Sequence, residues 1–141
     1  MKMLTATAFV CFLSACATNY EQNGFMGGFD EIQLSEDIFQ VSFSGNRYTS
    51  EQRAVDFTLL RCAELTLING YSYFAVIDAN SSVQRQVTTV PGSLNVAPSI
   101  KTISKPSSSN TVQMFKDEID GIILYNAEIT QKSIKSKYGL E

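Results

Sequence analysis

Residues 50–78, SEQRAVDFTLLRCAELTLINGYSYFAVID, decide the fold. Positions 50–69 contain neither Pro nor Gly, and apolar residues recur at helical spacing through Val55, Leu59, Ala63 and Leu67. Thr49 and Gln52 stand at capping-box spacing, with Ser50 as a second N-cap candidate. Gly70 supplies the left-handed position at which such a helix stops. Residues 71–78 then read as a strand. Tyr71, Tyr73, Ala75 and Ile77 point one way and Phe74 and Val76 the other, so both faces carry apolar groups, as in a strand covered on two sides.

Upstream, residues 29–44 read as a β-hairpin. Ile32 and Leu34 alternate before a turn at 35–37, and Phe39, Val41 and Phe43 alternate after it, with Gln40 and Ser42 on a more polar face. Downstream, residues 82–90 are rich in β-branched side chains and predict a neighbouring antiparallel strand. Residues 91–110 hold all three prolines and a serine run, predicting a long loop with a weak strand near 100–103. A strand resumes at 111–118. A second helix over 126–138 places Ala127, Ile134 and Tyr138 on one stripe before Gly139. The order ββαβββα predicts an α+β domain: a small mixed or antiparallel sheet with one main helix on a face. The β-helix-β step from Phe43 to Tyr73 permits a right-handed crossover between parallel strands.

The chain has 141 residues, 44% apolar and 18% charged, which suits one folded domain and excludes disordered or coiled-coil classes. Eleven Lys and Arg against fourteen Asp and Glu give a net charge of −3, too acidic for an electrostatic nucleic-acid binder. The absence of His removes the side chain best suited to acid–base work at neutral pH and the commonest metal ligand.

Lys2 precedes an uncharged, mainly apolar run over residues 3–13, too short to span a bilayer but of signal-peptide length. The run ends Leu13-Ser14-Ala15-Cys16, which resembles the lipobox of bacterial lipoproteins: an aliphatic residue, two small residues, then the cysteine that is acylated and becomes the first residue. Cys11 fails the same pattern because bulky Val10 precedes it. The alternative is ordinary secretion, since Ala15-Cys16-Ala17 also fits small-x-small cleavage and leaves a chain starting at Thr18.

The resemblance implies a signal peptide over 1–15, signal-peptidase recognition of Leu13, Ser14 and Ala15, and lipid on Cys16. Residues 17–28 are Gly-rich with little periodicity and read as a flexible tether reaching about 20 Å, so 16–28 form the lipidated tether and 29–141 the single α+β domain. Residue 17 is Ala rather than the Asp that typically retains such proteins at the inner membrane. That implies an outer-membrane anchor facing the periplasm in a Gram-negative cell, and otherwise an extracytoplasmic cell-membrane anchor. With Cys16 acylated and Cys11 removed, Cys62 has no disulfide partner and reads as a small buried residue of the helix.

Further residues carry a second resemblance: Gly27-Gly28-Phe29, Val41-Ser42-Phe43-Ser44-Gly45-Asn46, Tyr48-Thr49-Ser50, and the run Ala63-Glu64-Leu65-Thr66-Leu67-Ile68-Asn69-Gly70-Tyr71-Ser72-Tyr73-Phe74. Over about residues 27 to 78 the chain is similar to a family of small bacterial envelope lipoproteins of unknown function. That resemblance supports the lipid anchor and the β-helix-β unit and implies no activity.

Candidate sites are few. Asn46, Arg47 and Tyr48 at the strand-to-helix turn, with Tyr71 and Tyr73 on a sheet face, form the candidate interaction surface. The second helix is the intramolecular candidate to cover that tyrosine face; otherwise a partner docks there. Glu64 reads as an exposed helix acid or as a buried acid bonded to the Tyr48 or Tyr71 hydroxyl. Asp117, Glu118 and Asp120 read as a solvated turn, since Lys116 and Ala127 stand where a calcium loop needs acids. Lys132, Lys135 and Lys137 complement the dipole at the end of the second helix, with contact to anionic lipid or an envelope polymer as the alternative. No catalytic constellation, metal site or cofactor motif is read. The expected function is a membrane-tethered, non-catalytic envelope interaction or structural module with an envelope protein partner and no nucleic acid. The alternative is a periplasmic sensor domain for a small molecule or ion.

Overall fold

Each prediction of strand and helix meets a defined element in the computed structural model, which describes residues 19–141. The signal peptide expected at 1–15 and the lipobox-like residues Leu13, Ser14, Ala15 and Cys16 lie outside the described residues. The elements run β1 (Gly28–Gln33), β2 (Ile38–Ser44), α1 (Glu51–Ile68), β3 (Tyr73–Val90), β4 (Ser99–Phe115), β5 (Tyr125–Asn126) and α2 (Ala127–Tyr138).

The α+β class holds, and the sheet is antiparallel throughout, in the order β1-β2-β4-β3-β5. The parallel pairing that the β-helix-β step permits does not form. β2 and β3 both pair antiparallel with β4, which lies between them, so the crossover through α1 joins strands that run the same way without touching.

Helix α1 starts at Ser50, whose side chain accepts from the Arg53 N–H, so Ser50 rather than Thr49 is the N-cap. It ends with Gly70 at φ +80°. There the Gly70 N–H donates to Leu67 O and the Tyr71 N–H to Thr66 O, satisfying two terminal carbonyls. The expected stripe is displaced. Ala54, Phe57, Thr58, Leu60, Cys62, Ala63, Leu65 and Thr66 are buried, while Val55 and Leu67 are exposed. Thr58 and Thr66 occupy the buried face because their hydroxyls donate to Ala54 O and Cys62 O at 2.9 and 2.7 Å.

The core lies between α1 and one sheet face. Phe39, Val41, Phe74, Val112 and Met114 from the sheet meet Cys62, Ala63 and Leu65 from α1. A second cluster centres on Phe57, whose ring meets Phe43 and Tyr138 edge-on at 5.2 and 5.0 Å. Helix α2 buries the expected Ala127 and Ile134, and Tyr138 is half-buried. It packs on α1 and not on the open sheet face. That face carries Gln40, Ser42, Ser109, Thr111 and Gln113 beside the half-buried Ile38, Tyr73 and Phe115, so most of it suits water.

Two further expectations are corrected. Residues 91–110 are not one loop: β4 begins at Ser99 and pairs with β3 residue by residue from Val90↔Ser99 to Tyr73↔Phe115. Past Ser107, the last β4 residue paired with β2, the two strands continue as a ribbon about 25 Å long, turning over residues 91–98. Proline does not prevent this, because Pro91 and Pro98 flank the turn and Pro106 sits where β4 leaves β2, its carbonyl accepting from the Gly45 N–H. Residues 82–90 are therefore the continuation of β3, displaced by a bulge at Ile77.

The tether reading also fails for residues 19–28. Tyr20 packs against Phe29 and Phe57 at 5.1 and 5.3 Å, and its hydroxyl donates to Glu64. The Phe29 N–H donates to Glu21 O and the Asn23 N–H to Phe29 O, so this segment covers the free edge of β1. Gly composition signalled flexibility, but Gly28 at φ +133° is required for close approach. A Cβ there would collide with the carbonyl oxygens of Glu21 and Gln22.

Candidate functional site

The turn between β2 and α1 is fixed by its own side chains. Asn46 Oδ1 accepts from the Tyr48 N–H at 2.9 Å, and the Asn46 N–H donates to Thr49 Oγ1 at 3.1 Å. Gly45 allows the close approach, since a Cβ there would lie 2.7 Å from Thr49 Cβ. The turn thereby presents Arg47 and Tyr48 outward, with the guanidinium 4.7 Å from the tyrosine ring centroid.

A second turn faces the first. Gly24 and Gly27 exchange backbone hydrogen bonds at 3.0 and 3.1 Å, leaving Phe25 and Met26 at the apex of a two-residue hairpin. Phe25 is fully exposed. The root of the β3–β4 ribbon closes a third side with Gln86, Ile103 and Lys105. Together these elements enclose an open cleft of about 580 Å³, and Lys101 joins Arg47, Tyr48 and Ile103 in a shallower depression next to it.

Asn46, Arg47 and Tyr48 are thus brought together in this cleft. Tyr71 and Tyr73 are elsewhere and apart from each other. Tyr71 belongs to the helix C-terminal turn and packs against the main core, whereas Tyr73 starts β3 opposite Phe115 on the open face. The strand alternation that joined them does not extend back past Ser72.

Under the N-terminal segment lies a charged cluster. Arg61 grips Glu31 through two hydrogen bonds, of 2.9 and 3.1 Å, and reaches Glu64 at 3.2 Å, while Lys135 of α2 meets Glu64 at 3.3 Å. The guanidinium lies 4.3 Å from the Phe29 ring centroid. The Glu31 hydrogen bonds hold the Arg61 pKa above its usual value, and burial followed by the Glu64 hydrogen bond raises that of Tyr20. Tyr20 therefore stays a neutral donor. Glu64 is bonded to Tyr20, not to Tyr48 or Tyr71. Lys135 and Lys137 pair with Glu64 and Asp56 of α1, and Lys132 is exposed.

The cleft presents groups that can recognise a ligand or partner. Arg47, Lys101 and Lys105 supply positive charge, Asn23 and Gln86 supply amides, and Phe25, Met26 and Tyr48 supply apolar and aromatic surface. Cys62 faces the core, where burial pushes its thiol up to about 12. Among the described residues, no three of Cys, Asp and Glu come together as a metal-binding group, and no helix is long and apolar enough to cross a membrane.

Family models, curated protein sequences and solved structures contain no match to this chain.

Sequence reasoning missed Phe25, Met26, Gln86, Lys101, Ile103 and Lys105. The signal for the first pair was present, since two exposed-prone apolar residues between Gly24 and Gly27 have the form of a hairpin tip. The cations of the ribbon were hidden inside a segment read as a loop.

Proposed function

We propose that the protein is a membrane-tethered bacterial lipoprotein that serves as a non-catalytic envelope interaction or structural module. The observation that carries this is Leu13-Ser14-Ala15-Cys16, an acylation motif placed directly after a short apolar leader. The pinned Tyr20 gives the motif a mechanical meaning. Tyr20 stands four positions after Cys16, so an acylated Cys16 holds the folded domain within about 14 Å of its lipid. The ribbon of β3 and β4 projects from that domain with Val87, Leu94, Val96 and Ile100 exposed, which suits a contact element for an envelope protein. A non-catalytic role accords with a chain that lacks His and keeps its remaining thiol buried and protonated. Growth with a radiolabelled fatty acid tests the anchor. Label is expected on the wild type and not on Cys16→Ser, and an unlabelled wild type overturns the proposal.

A second reading is favoured by the cleft itself. Its mixed cationic, amide and aromatic lining suits a small anionic ligand, as in a periplasmic sensor domain. A ligand-dependent rise in melting temperature that Arg47→Ala abolishes supports the sensor, and the absence of any shift across an anion library favours the module.

A further inference from the structure

Charge is unevenly divided along this chain. Residues 79–115, which form the ribbon and its return into the sheet, carry Arg85, Lys101 and Lys105 and not one acid, in a molecule whose net charge is −3. Lys101 lines the smaller depression with Arg47, and Lys105 lines the adjoining cleft with Arg47 and with Phe25 and Met26 at the apex of the N-terminal turn. One continuous surface therefore combines three cations, an aromatic side chain at a hairpin tip, a thioether and the exposed Tyr48 ring. An exposed Phe costs free energy in water, whereas an interfacial bilayer accepts aromatic rings and acidic headgroups attract Lys and Arg.

We infer that this surface, formed by Phe25, Met26, Arg47, Tyr48, Lys101 and Lys105, lies against an anionic lipid bilayer and fixes the orientation of the domain on it. The inference rests on the lipid-anchor reading of Cys16. Phe25 is nine positions after Cys16, at most about 32 Å of chain, and the pinning of Tyr20 makes the real reach shorter. An acyl chain inserted at that distance keeps the surface at high effective concentration near headgroups, so weak contacts suffice. The acidic remainder of the domain is repelled by the same lipids. The opposite end of the sheet, with the exposed Ile123 in the segment after β4, then faces away.

The chain contains no Trp, so a single indole reports without background. The full-length Phe25→Trp chain, recovered acylated from membranes, is placed in vesicles of phosphatidylethanolamine and phosphatidylglycerol and compared with Ile123→Trp. The indole at position 25 is expected to emit further to the blue and to be quenched by brominated lipid, while that at 123 emits as in water. Reversal of Arg47, Lys101 and Lys105 to Glu, or vesicles of phosphatidylcholine alone, releases the surface; each cation removed weakens docking about fivefold. An acylated, vesicle-bound chain whose position 25 stays unquenched overturns the inference and leaves the anchor intact, as does equal quenching at 25 and 123. Protection of position 25 only when an envelope protein is added also overturns it, in favour of a protein contact. A mass showing Cys16 unmodified defeats the anchor and this inference with it.

Discussion

The Tyr20 hydroxyl donates to Glu64 Oε2, joining the residue four positions after Cys16 to the middle of α1. Glu64 also holds Arg61 and Lys135, so the contact ties the N-terminal segment to a network spanning β1, α1 and α2. Tyr20→Phe keeps the ring against Phe29 and Phe57 and removes only the hydrogen bond, with an expected loss of about 1–3 kcal/mol. Tyr20→Ala removes the ring as well and costs more. Urea denaturation measures both, and limited proteolysis should show cleavage before Phe29 rising in the same order.

Gly28→Ala tests the same junction through the backbone. The added methyl meets the Glu21 and Gln22 carbonyls at a residue whose φ is +133°, so the segment over 19–27 is expected to detach while the sheet survives. Hydrogen exchange at the Phe29 and Asn23 amides should accelerate, with the Phe39 and Val112 amides unchanged. Unaltered exchange at Phe29 contradicts the packing described.

Asp56 joins the ends of the helical pair. Burial alone raises its pKa, but hydrogen bonds from Lys137 at 2.6 Å, Tyr138 at 2.6 Å and Gln52 at 2.8 Å outweigh that and lower it. A carboxyl whose folded pKa lies below the unfolded value of about 3.9 adds stability above that pH and loses it as pH falls through the folded pKa. Asp56→Asn is expected to cost about 1 kcal/mol at pH 7 through the weakened Tyr138 bond. The gap to wild type should close in acid below pH 3.9, and a gap that widens there rules the assignment out.

Cys62 faces the core cluster with its thiol pushed up to about 12. Alkylation by iodoacetamide at pH 8 is expected to be slow in the native chain and rapid in denaturant. Fast native labelling shows that α1 does not sit on the sheet as described.

Much of this architecture was legible from residues 50–78. Gly70 after an uninterrupted helical stretch, followed at once by aromatic and β-branched residues, forces a helix-to-strand turn, and the structure has it. The helix face was displaced because Thr58 and Thr66, polar by composition, satisfy their hydroxyls on the helix backbone and so bury without penalty. The ribbon was hidden because proline and serine signal loops, although Pro91, Pro98 and Pro106 stand only where a strand tolerates them. Arg47 and Tyr48 were singled out with Asn46 because they stand at the strand-to-helix turn. Their neighbours Phe25 and Lys105 were not, since both come from segments far away in sequence whose approach depends on Tyr20 and on the β3–β4 register.

The proposed lipid on Cys16 is read from the intact mass of the full-length gene product recovered from bacterial membranes. The expected result is a chain beginning at Cys16 and carrying added acyl mass, and a Cys16→Ser product without it. A leader still attached, or a free amino end on a product found only in the membrane-free fraction, contradicts it.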